Sequence, residues 1–428
     1  MKTSRREFLY TSAAAVTAGN LHMVATSANA QHAEPAQPGI VNSNYRPVET
    51  PNGATLPFRI VNGVKIYHLI VEPVTHTFAK GLEGECWGYN GRVHGPTIEA
   101  VEGDRIRIYV TNKLPVSTTT HWHGLLVPSG MDGVGGLSQR PIEPGETFKY
   151  EFILRQHGTF MYHSHHDEMT QMAMGLMGMI VIHPKVPGEP PPDRDFVYLL
   201  SEWKITPGTR RPDPNEMSDF NVLTLNAKIF PATAPMVVRT GQKVRIRFGN
   251  LSAMDHHTMH LHGYNFKIVE TDGGVIPEAG RWPETTVIVP VGSTRTVEFT
   301  ASDPGDWAMH CHMTHHVMTQ MGHDIPNLIG VDASLFDEKL AAAVPVYMNG
   351  DEHNQSGGAE DMDEPRNSLA MVGGAGPFGY ITMGGMFTIL KVRDDITNYT
   401  DPGWYKNPDG TVASPAMPED LTADGIKL

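Results

Sequence analysis

The sequence predicts an all-β fold, with two Greek-key β-sandwich domains and a C-terminal extension. The 428 residues include 43 glycines and 33 prolines, a composition that fits short strands and turns better than helical bundles. Two stretches of roughly 130 residues each carry strand patterns separated by glycine and proline. These stretches also resemble each other, so we interpret them as two copies of one sandwich domain.

Composition shifts divide the chain into six predicted segments. They are a twin-arginine signal peptide at 1–30, an N-terminal arm at 31–55, a first domain at 56–187, a Pro-rich linker at 188–195, a second domain at 196–330 and an extension at 331–428. The signal is read from Arg5 and Arg6, the Phe-Leu pair after them and a small-residue cleavage site, with a plain secretory signal as the alternative. We therefore expect a periplasmic or otherwise exported protein.

Charge and cysteine content exclude several classes of protein. The formal net charge is −14, which argues against nucleic acid and anionic membrane surfaces as partners. No apolar run after the signal is long enough to span a bilayer. The two cysteines are Cys86 and Cys311, and we expect no disulfide between them. Cys86 fits a small buried apolar residue.

The internal repeat is visible in three pairs of segments. Residues 102–112 resemble 240–250, HWHG at 121–124 resembles HLHG at 260–263, and 158–169 resembles 305–316. In the last pair Ser164 stands in the place of Cys311, and Met169 stands in the place of His316.

Individual elements are predicted on both sides of the linker and in the extension. The patterns predict strands at 65–74, 105–112 and 385–394, a short helix at 333–343, an exposed loop at 349–365 and an irregular tail beyond Asn398. Six methionines follow one another closely in the first domain, and a core-filling role is favoured over a path for Cu(I). They are Met161, Met169, Met172, Met174, Met177 and Met179.

The most informative motif is His310-Cys311-His312. Alternate residues of a strand point to opposite faces, so the two histidines point one way and the cysteine the other. This geometry can bind metal on both sides of a single strand. Cysteine, two histidines and a weak methionine are the ligands of a blue copper site, and His257, Cys311, His316 and Met321 supply that set.

Four histidine pairs share the spacing H-x-H, which on a strand projects both imidazoles to one face. A lone pair of this kind is usually two half-exposed strand residues. Four pairs in two aligned repeats, one with a cysteine between its histidines, favour copper; zinc is the competing metal. The pairs are His121 and His123, His163 and His165, His260 and His262, and His310 and His312.

These motifs resemble those of the multicopper oxidases, the laccase-like blue oxidases. The patterns H-x-x-H-x-H-G and H-C-H-x-x-x-H-x-x-x-x-M stand intact at 257–263 and 310–321. The chain resembles the two-domain type, with cupredoxin domains and the blue copper in the second. The resemblance implies four coppers per chain. One is type 1, one is a type 2 copper on His121 and His260, and two are type 3 coppers on His123, His163, His165, His262, His310 and His312.

The resemblance also implies a reaction. A small reductant would give electrons at the type 1 copper, Cys311 would lead them to His310 and His312, and the cluster would reduce dioxygen to water. Asp132 matches a proton-relay position, with a turn-forming Asp-Gly as the alternative. The family's second acidic position is absent here, and Asp167 or Glu168 are the candidates to replace it. Phenols, aromatic amines, Cu(I), Mn(II) and Fe(II) are all possible reductants.

The short linker favours an arrangement in which the first domain faces the second domain of a neighbouring chain. The resemblance implies a closed homotrimer with a cluster at each interface. A copper-sequestering protein of the cell envelope is the rival hypothesis. Copper nitrite reductase ranks lower, because Ser164 occupies the cysteine place of the first domain, and a copper-free scaffold is disfavoured because every expected ligand is present.

Overall fold

The computed structural model describes residues 45–206, 208–317, 366–367 and 373–427. The signal peptide, the predicted helix at 333–343, the predicted loop at 349–365 and Met321 lie outside these residues. Within them, no helix has the length and apolar character needed to cross a membrane.

The first sandwich pairs a five-stranded sheet with a four-stranded sheet. The five-stranded sheet has the order β1-β2-β5-β7 with β3 on β2, and the other has the order β4-β9-β8-β6. The strands are β1 Arg59–Val61, β2 Val64–Ala79, β3 Leu82–Tyr89, β4 Ile98–Val101, β5 Arg105–Asn112, β6 His121–His123, β7 Thr147–Ile153, β8 Gly158–His163 and β9 Met177–His183. The strand predicted at 105–112 is confirmed, and alternation along it buries Ile106, Ile108 and Val110.

The second sandwich repeats this plan with larger sheets. Its strands are β10 Arg194–Trp203, β11 Val222–Leu225, β12 Met236–Arg239, β13 Lys243–Asn250, β14 His257–Leu261, β15 Phe266–Thr271, β16 Gly274–Val275, β17 Pro283–Glu284, β18 Thr286–Val289, β19 Ser293–Thr300 and β20 Gly305–Cys311. One sheet has the order β11-β10-β13-β19-β15-β16, with β17 on β15. Strand β10 begins two residues inside the predicted linker.

The extension contributes one strand to the second sandwich. The described elements there are β21 Gly374–Gly376, β22 Gly379–Ile381, β23 Phe387–Arg393 and the helix α2 Pro418–Ala423, while α1 Glu168–Ala173 lies in the first sandwich. Strand β23 lies between β12 and β20 in the sheet β12-β23-β20-β14-β18. The strand predicted at 385–394 is thus confirmed, and it borders the strand that carries Cys311.

Methionines fill the core between the two sandwiches. Met161, Met177 and Met179 are buried there against Val197 and Leu199. Position 249 is glycine because a side chain would collide with the sulfur atoms of two of these methionines. The core-filling interpretation is confirmed for these residues, whereas Met169 is exposed.

A buried ion network joins the same two faces. The Arg247 guanidinium donates to both Asp195 carboxylate oxygens at 2.8 and 2.9 Å, and to Thr159 Oγ1 of the first sandwich at 2.8 Å. Its Nη1 also lies 3.2 Å from Glu270 Oε2. Burial alone would raise the pKa of Glu270, but the neighbouring arginines hold it below its usual value.

We expect the substitution Arg247→Met to lower the free energy of unfolding by about 3–5 kcal/mol, because two carboxylates lose their buried counter-charge. Chemical denaturation measures this change. The matched control is Arg105→Met, which removes an exposed ion pair with Glu151 and should cost at most about 1 kcal/mol. Equal effects in the two variants would contradict a stabilising role for the buried network.

Candidate metal centres

The two sandwiches place their histidine motifs at equivalent positions. In the first, His121 on β6 is the cross-strand partner of His163 on β8. In the second, His260 on β14 is the partner of His310 on β20 in the same way. The equal register bears out the repeat that the sequence predicted around these motifs.

The first candidate centre lies inside the second sandwich. It contains His257 at the start of β14, Cys311 at the end of β20 and His316 on a 3-10 turn, Thr314–Val317. All three side chains are fully buried. Cys311 Sγ lies 3.8 Å from His257 Nδ1 and 3.4 Å from His316 Nδ1, and the two nitrogens are 3.1 Å apart. The predicted fourth ligand, Met321, lies outside the described residues.

Neighbouring polar groups orient the two imidazoles of this centre. His257 Nε2 lies 2.6 Å from Ser252 Oγ, and His316 Nε2 lies 3.7 Å from Asp255 Oδ2. Asp255 lies beyond hydrogen-bond distance of His316 Nε2, and its carboxylate acts on that ring through its charge, whereas Ser252 is in hydrogen-bond contact with His257 Nε2. Nδ1 is the nitrogen that each ring turns toward the sulfur. Sequence reasoning missed Ser252 and Asp255, because a loop residue that approaches a ligand from behind leaves no spacing signal.

Burial is the main electrostatic influence on this centre. It raises the pKa of the Cys311 thiol and lowers the pKa of both His257 and His316. One thiol and two imidazole nitrogens, which lie 3.1 Å apart, therefore share a dry site. Such a donor set suits a soft cation, and copper fits it well.

The first sandwich has a different arrangement at the equivalent place. Ser164 Oγ donates to Gln171 Oε1 at 2.6 Å, and Thr118 Oγ1 donates to the same oxygen at 2.6 Å. Met169, in the place of His316, is exposed on α1. A satisfied polar cluster has thus replaced the metal donors, which agrees with the prediction that this domain lacks a type 1 site.

The remaining candidate ligands form two sets of four histidines. In the first set, His123 Nδ1 faces His163 Nε2 at 3.3 Å. In the second set, His262 Nε2 faces His310 Nε2 at 3.2 Å. Ring contacts also bring His165 to the first set and His312 to the second.

Backbone carbonyls fix which nitrogen of each ring is free. A carbonyl only accepts, so a ring nitrogen beside it must carry the hydrogen. In four rings Nδ1 therefore donates to a carbonyl oxygen, at distances of 2.7, 2.8, 2.7 and 2.9 Å. Nε2 of each of these rings is left for a metal. These rings and their partners are His121 with Asp132, His163 with Ser164, His260 with Thr285, and His310 with Cys311.

His123 has the opposite orientation. Its Nε2 donates to the Gly292 carbonyl at 2.9 Å, so Nδ1 is left for a metal. Gly292 belongs to the second sandwich and has φ +70°, a conformation that favours glycine. No sequence signal could have identified this contact, because it is made by a backbone atom 169 residues away.

Two carboxylates lie beside the first set. Asp132 Oδ1 is 3.4 Å from His121 Nδ1, and Glu168 on α1 lies 3.6 Å from His163 Nδ1 and 3.8 Å from His165 Nε2. The predicted position of Asp132 near the ligands is thus observed, while its role stays a prediction.

The two sets remain apart within the described chain. Ring contacts there join histidines within each set, and none joins a first-set ring to a second-set ring. His262 and His312 are exposed. The second set is therefore open to solvent on the side of these two rings.

We expect Ser252→Ala to weaken copper binding at the Cys311 centre by about tenfold to a hundredfold, because His257 loses the partner that orients it. Copper titration against a competing chelator, followed at the blue absorption band, measures this. Ser302→Ala is the control, since Ser302 is exposed and contacts Asp303. Unchanged affinity in Ser252→Ala would contradict an orienting role.

Comparison with known proteins agrees with this chemistry. Residues 70–187 and residues 205–329 each match a family described as multicopper oxidase. Copper resistance protein A of Escherichia coli is 30% identical over 242 residues, 45% of this chain and 40% of that protein. Laccase-1 of Cryptococcus neoformans var. grubii is 31% identical over 227 residues, 46% of this chain and 36% of that protein. The chain spans about two fifths of the length of these relatives.

Solved structures show the same fold. The blue copper oxidase of Nitrosomonas europaea superposes with a TM-score of 0.58 at 24% identity, over 84% of this chain and 94% of that one. The sandwiches and their paired histidine motifs define a copper-binding protein of cupredoxin domains. This chain belongs to the multicopper oxidase family, and the resemblance drawn from its sequence motifs is confirmed.

Proposed function

We propose that this chain is an exported, laccase-like multicopper oxidase. It couples one-electron oxidation of a small reductant, a phenolic or aromatic compound or a low-valent metal ion, to the four-electron reduction of dioxygen to water. The observation that carries this proposal is the placement of Cys311 in the buried core between His310 and His312, whose rings contact His260 and so belong to the second histidine set.

The residues around Cys311 have two proposed roles, electron acceptance and electron transfer. The buried thiol, His257 and His316 form the site that receives an electron, and Met321 is proposed from the sequence as its fourth ligand. His310 and His312, the covalent neighbours of Cys311, extend to the other face of the strand, so the covalent path from the sulfur to either imidazole is short. Copper bound at the Cys311 centre would supply the one-electron steps, and copper bound at the paired histidines would supply the place where dioxygen is reduced.

The two half-sites support a shared cluster. We infer that His121, His123, His163 and His165 of one chain meet His260, His262, His310 and His312 of the next in a closed homotrimer, which gives four coppers per chain. Two exposed histidines in the second set support this arrangement, because a complete site would enclose them. Asp132 and Glu168 would place carboxylates beside the cluster, where oxygen reduction consumes protons.

A redox cycle tests the proposal. The copper-loaded protein is bleached without air by a reductant, and air is then admitted while visible absorption and oxygen uptake are recorded. Return of the blue colour with oxygen uptake is the expected result. Colour that stays bleached would contradict oxidase activity.

Bleaching without recovery would favour a second function, a copper-holding protein with little turnover. The name of the Escherichia coli relative, copper resistance protein A, favours this candidate. An intact Cys311 centre would then coexist with histidine sets that do not reduce oxygen.

A further inference from the structure

A cavity of about 490 Å³ lies between the arm, the first sandwich and the second sandwich. Its lining includes Asn52 from the arm, His76 and Arg92 from the first sandwich, and Asn226 and Lys228 from the second. None of the histidines assigned to copper lines it. The cavity is therefore a feature separate from the proposed oxidase centres.

The charge of this cavity is opposite to that of the chain. The whole protein has a formal net charge of −14. Arg92 and Lys228 nevertheless line the cavity, and none of its described lining residues is aspartate or glutamate. Within the described residues neither of these cations forms an ion pair, and Lys228 Nζ donates to the Thr77 carbonyl. Two positive charges thus face the cavity without a protein counter-charge.

Two histidines beside these cations are held neutral. Burial is the main reason that the pKa of His76 falls to about 4 and that of His94 to about 3. The nearby basic groups add to it, since Lys228 lowers the pKa of His76 and His76 lowers that of His94. The two histidines therefore add no charge to the described lining, in which Arg92 and Lys228 are the charged residues.

His94 also has an unused polar atom. The side chain is 8% exposed, and its Nδ1 has no hydrogen-bond partner among the described residues. Its Nε2 lies 2.8 Å from Ser201 Oγ, which already accepts from Trp203 Nε1 at 3.1 Å. Ser201 Oγ also bonds to Thr224 Oγ1 at 2.8 Å, and Thr224 Oγ1 donates to the Ser201 carbonyl at 3.1 Å. The Ser201 hydroxyl can therefore donate to Nε2 or accept from it, and either ring nitrogen can carry the hydrogen. A buried ring nitrogen without a protein partner beside two cations is a place for a bound polar species, either water or an ion.

We propose that this cavity binds a small dianionic oxyanion of the sulfate or phosphate type, with Arg92 and Lys228 as its cationic ligands. Oxyanion oxygens accept charge-assisted hydrogen bonds, which guanidinium and ammonium groups donate strongly. The asparagine side chains of the lining already bond to backbone groups, so the two cations are the charged donors left for an anion. Because all three parts of the chain line the cavity, a bound anion would also stabilise their packing.

The test is titration calorimetry of the copper-loaded protein with sodium sulfate, with ionic strength held constant by sodium chloride. We expect saturable binding at one site per chain and a melting temperature that rises with sulfate. In Arg92→Gln/Lys228→Gln the affinity should fall by about tenfold or more, since two charged donors are lost. Lys228→Arg, which keeps the charge, should retain binding.

The matched control is Lys149→Gln/Lys267→Gln, which removes two positive charges from exposed strand positions outside the cavity. It should bind sulfate as the parent does. Absence of saturable binding in the parent, or equal loss in the two double variants, would overturn the proposal. Phosphate that binds while sulfate does not, and still binds in Arg92→Gln/Lys228→Gln, would place the anion at the copper and also overturn it.

Discussion

Cys311→Ser should abolish the blue absorption and lower turnover by about a thousandfold or more. A serine hydroxyl has nearly the shape of the thiol but neither ionises near neutral pH nor offers a soft donor. The side chain is fully buried between His257 and His316, so no other donor can take its position. Visible spectroscopy, copper analysis and oxygen uptake measure the outcome, and one copper per chain should be lost.

Cys86→Ser is the matched control, because it makes the same chemical change at another buried cysteine. Cys86 lies in an apolar cluster, and burial raises the pKa of its thiol to about 12. The control should keep its colour and turnover, at a stability cost of about 1–3 kcal/mol for a buried hydroxyl. If Cys311→Ser oxidised substrate at the parent rate, the proposed electron path would be wrong.

Much of the fold could be predicted because its signals are local. Alternation of apolar residues predicted the strand at 105–112 with its observed bounds, and the pattern at 385–394 contains the observed strand Phe387–Arg393. The place of the strand Phe387–Arg393 in its sheet could not be predicted from the sequence. It pairs with Gly305–Cys311 and Met236–Arg239, partners separated from it by long stretches of chain, and pairing over such distances leaves no local pattern.

The candidate site likewise has residues that could be predicted from the sequence and residues that could not. The predicted ligands His257, Cys311 and His316 converge as expected, because strand periodicity and short spacing determine which face each occupies. The groups that orient the rings could not be predicted. Ser252 acts from a loop, and Gly292 acts through a carbonyl whose position depends on the packing of one sandwich against the other.

The second prediction concerns where the two histidine sets meet. His123→Ala and His262→Ala each remove one ring of a facing pair, the first from the first sandwich and the second from the equivalent position of the second sandwich. Each variant alone should have no oxidase activity, because every cluster in it lacks a ligand. Oligomers that contain both variants should regain activity if clusters form between chains.

The expected recovery follows from ring geometry. An intact cluster needs the first sandwich of a His262→Ala chain against the second sandwich of a His123→Ala chain. A closed ring of three that contains both variants has one such interface, so activity should reach about a third of the parent value. Co-expression with two different affinity tags, followed by purification on both, isolates these mixed oligomers.

A second pair of variants is the control for complementation. It shows whether mixing two inactive variants restores oxidase activity when no intact interface can form. His121→Ala and His123→Ala both damage the first set, so their mixed oligomers contain no intact first half and should stay inactive. Recovery in that pair, or none in the His123→Ala and His262→Ala pair, would contradict clusters shared between chains. A fully active monomer of the parent, identified by sedimentation, would contradict them as well. Recovery only in the complementary pair would explain why one chain leaves His262 and His312 exposed, since the neighbouring chain would cover them.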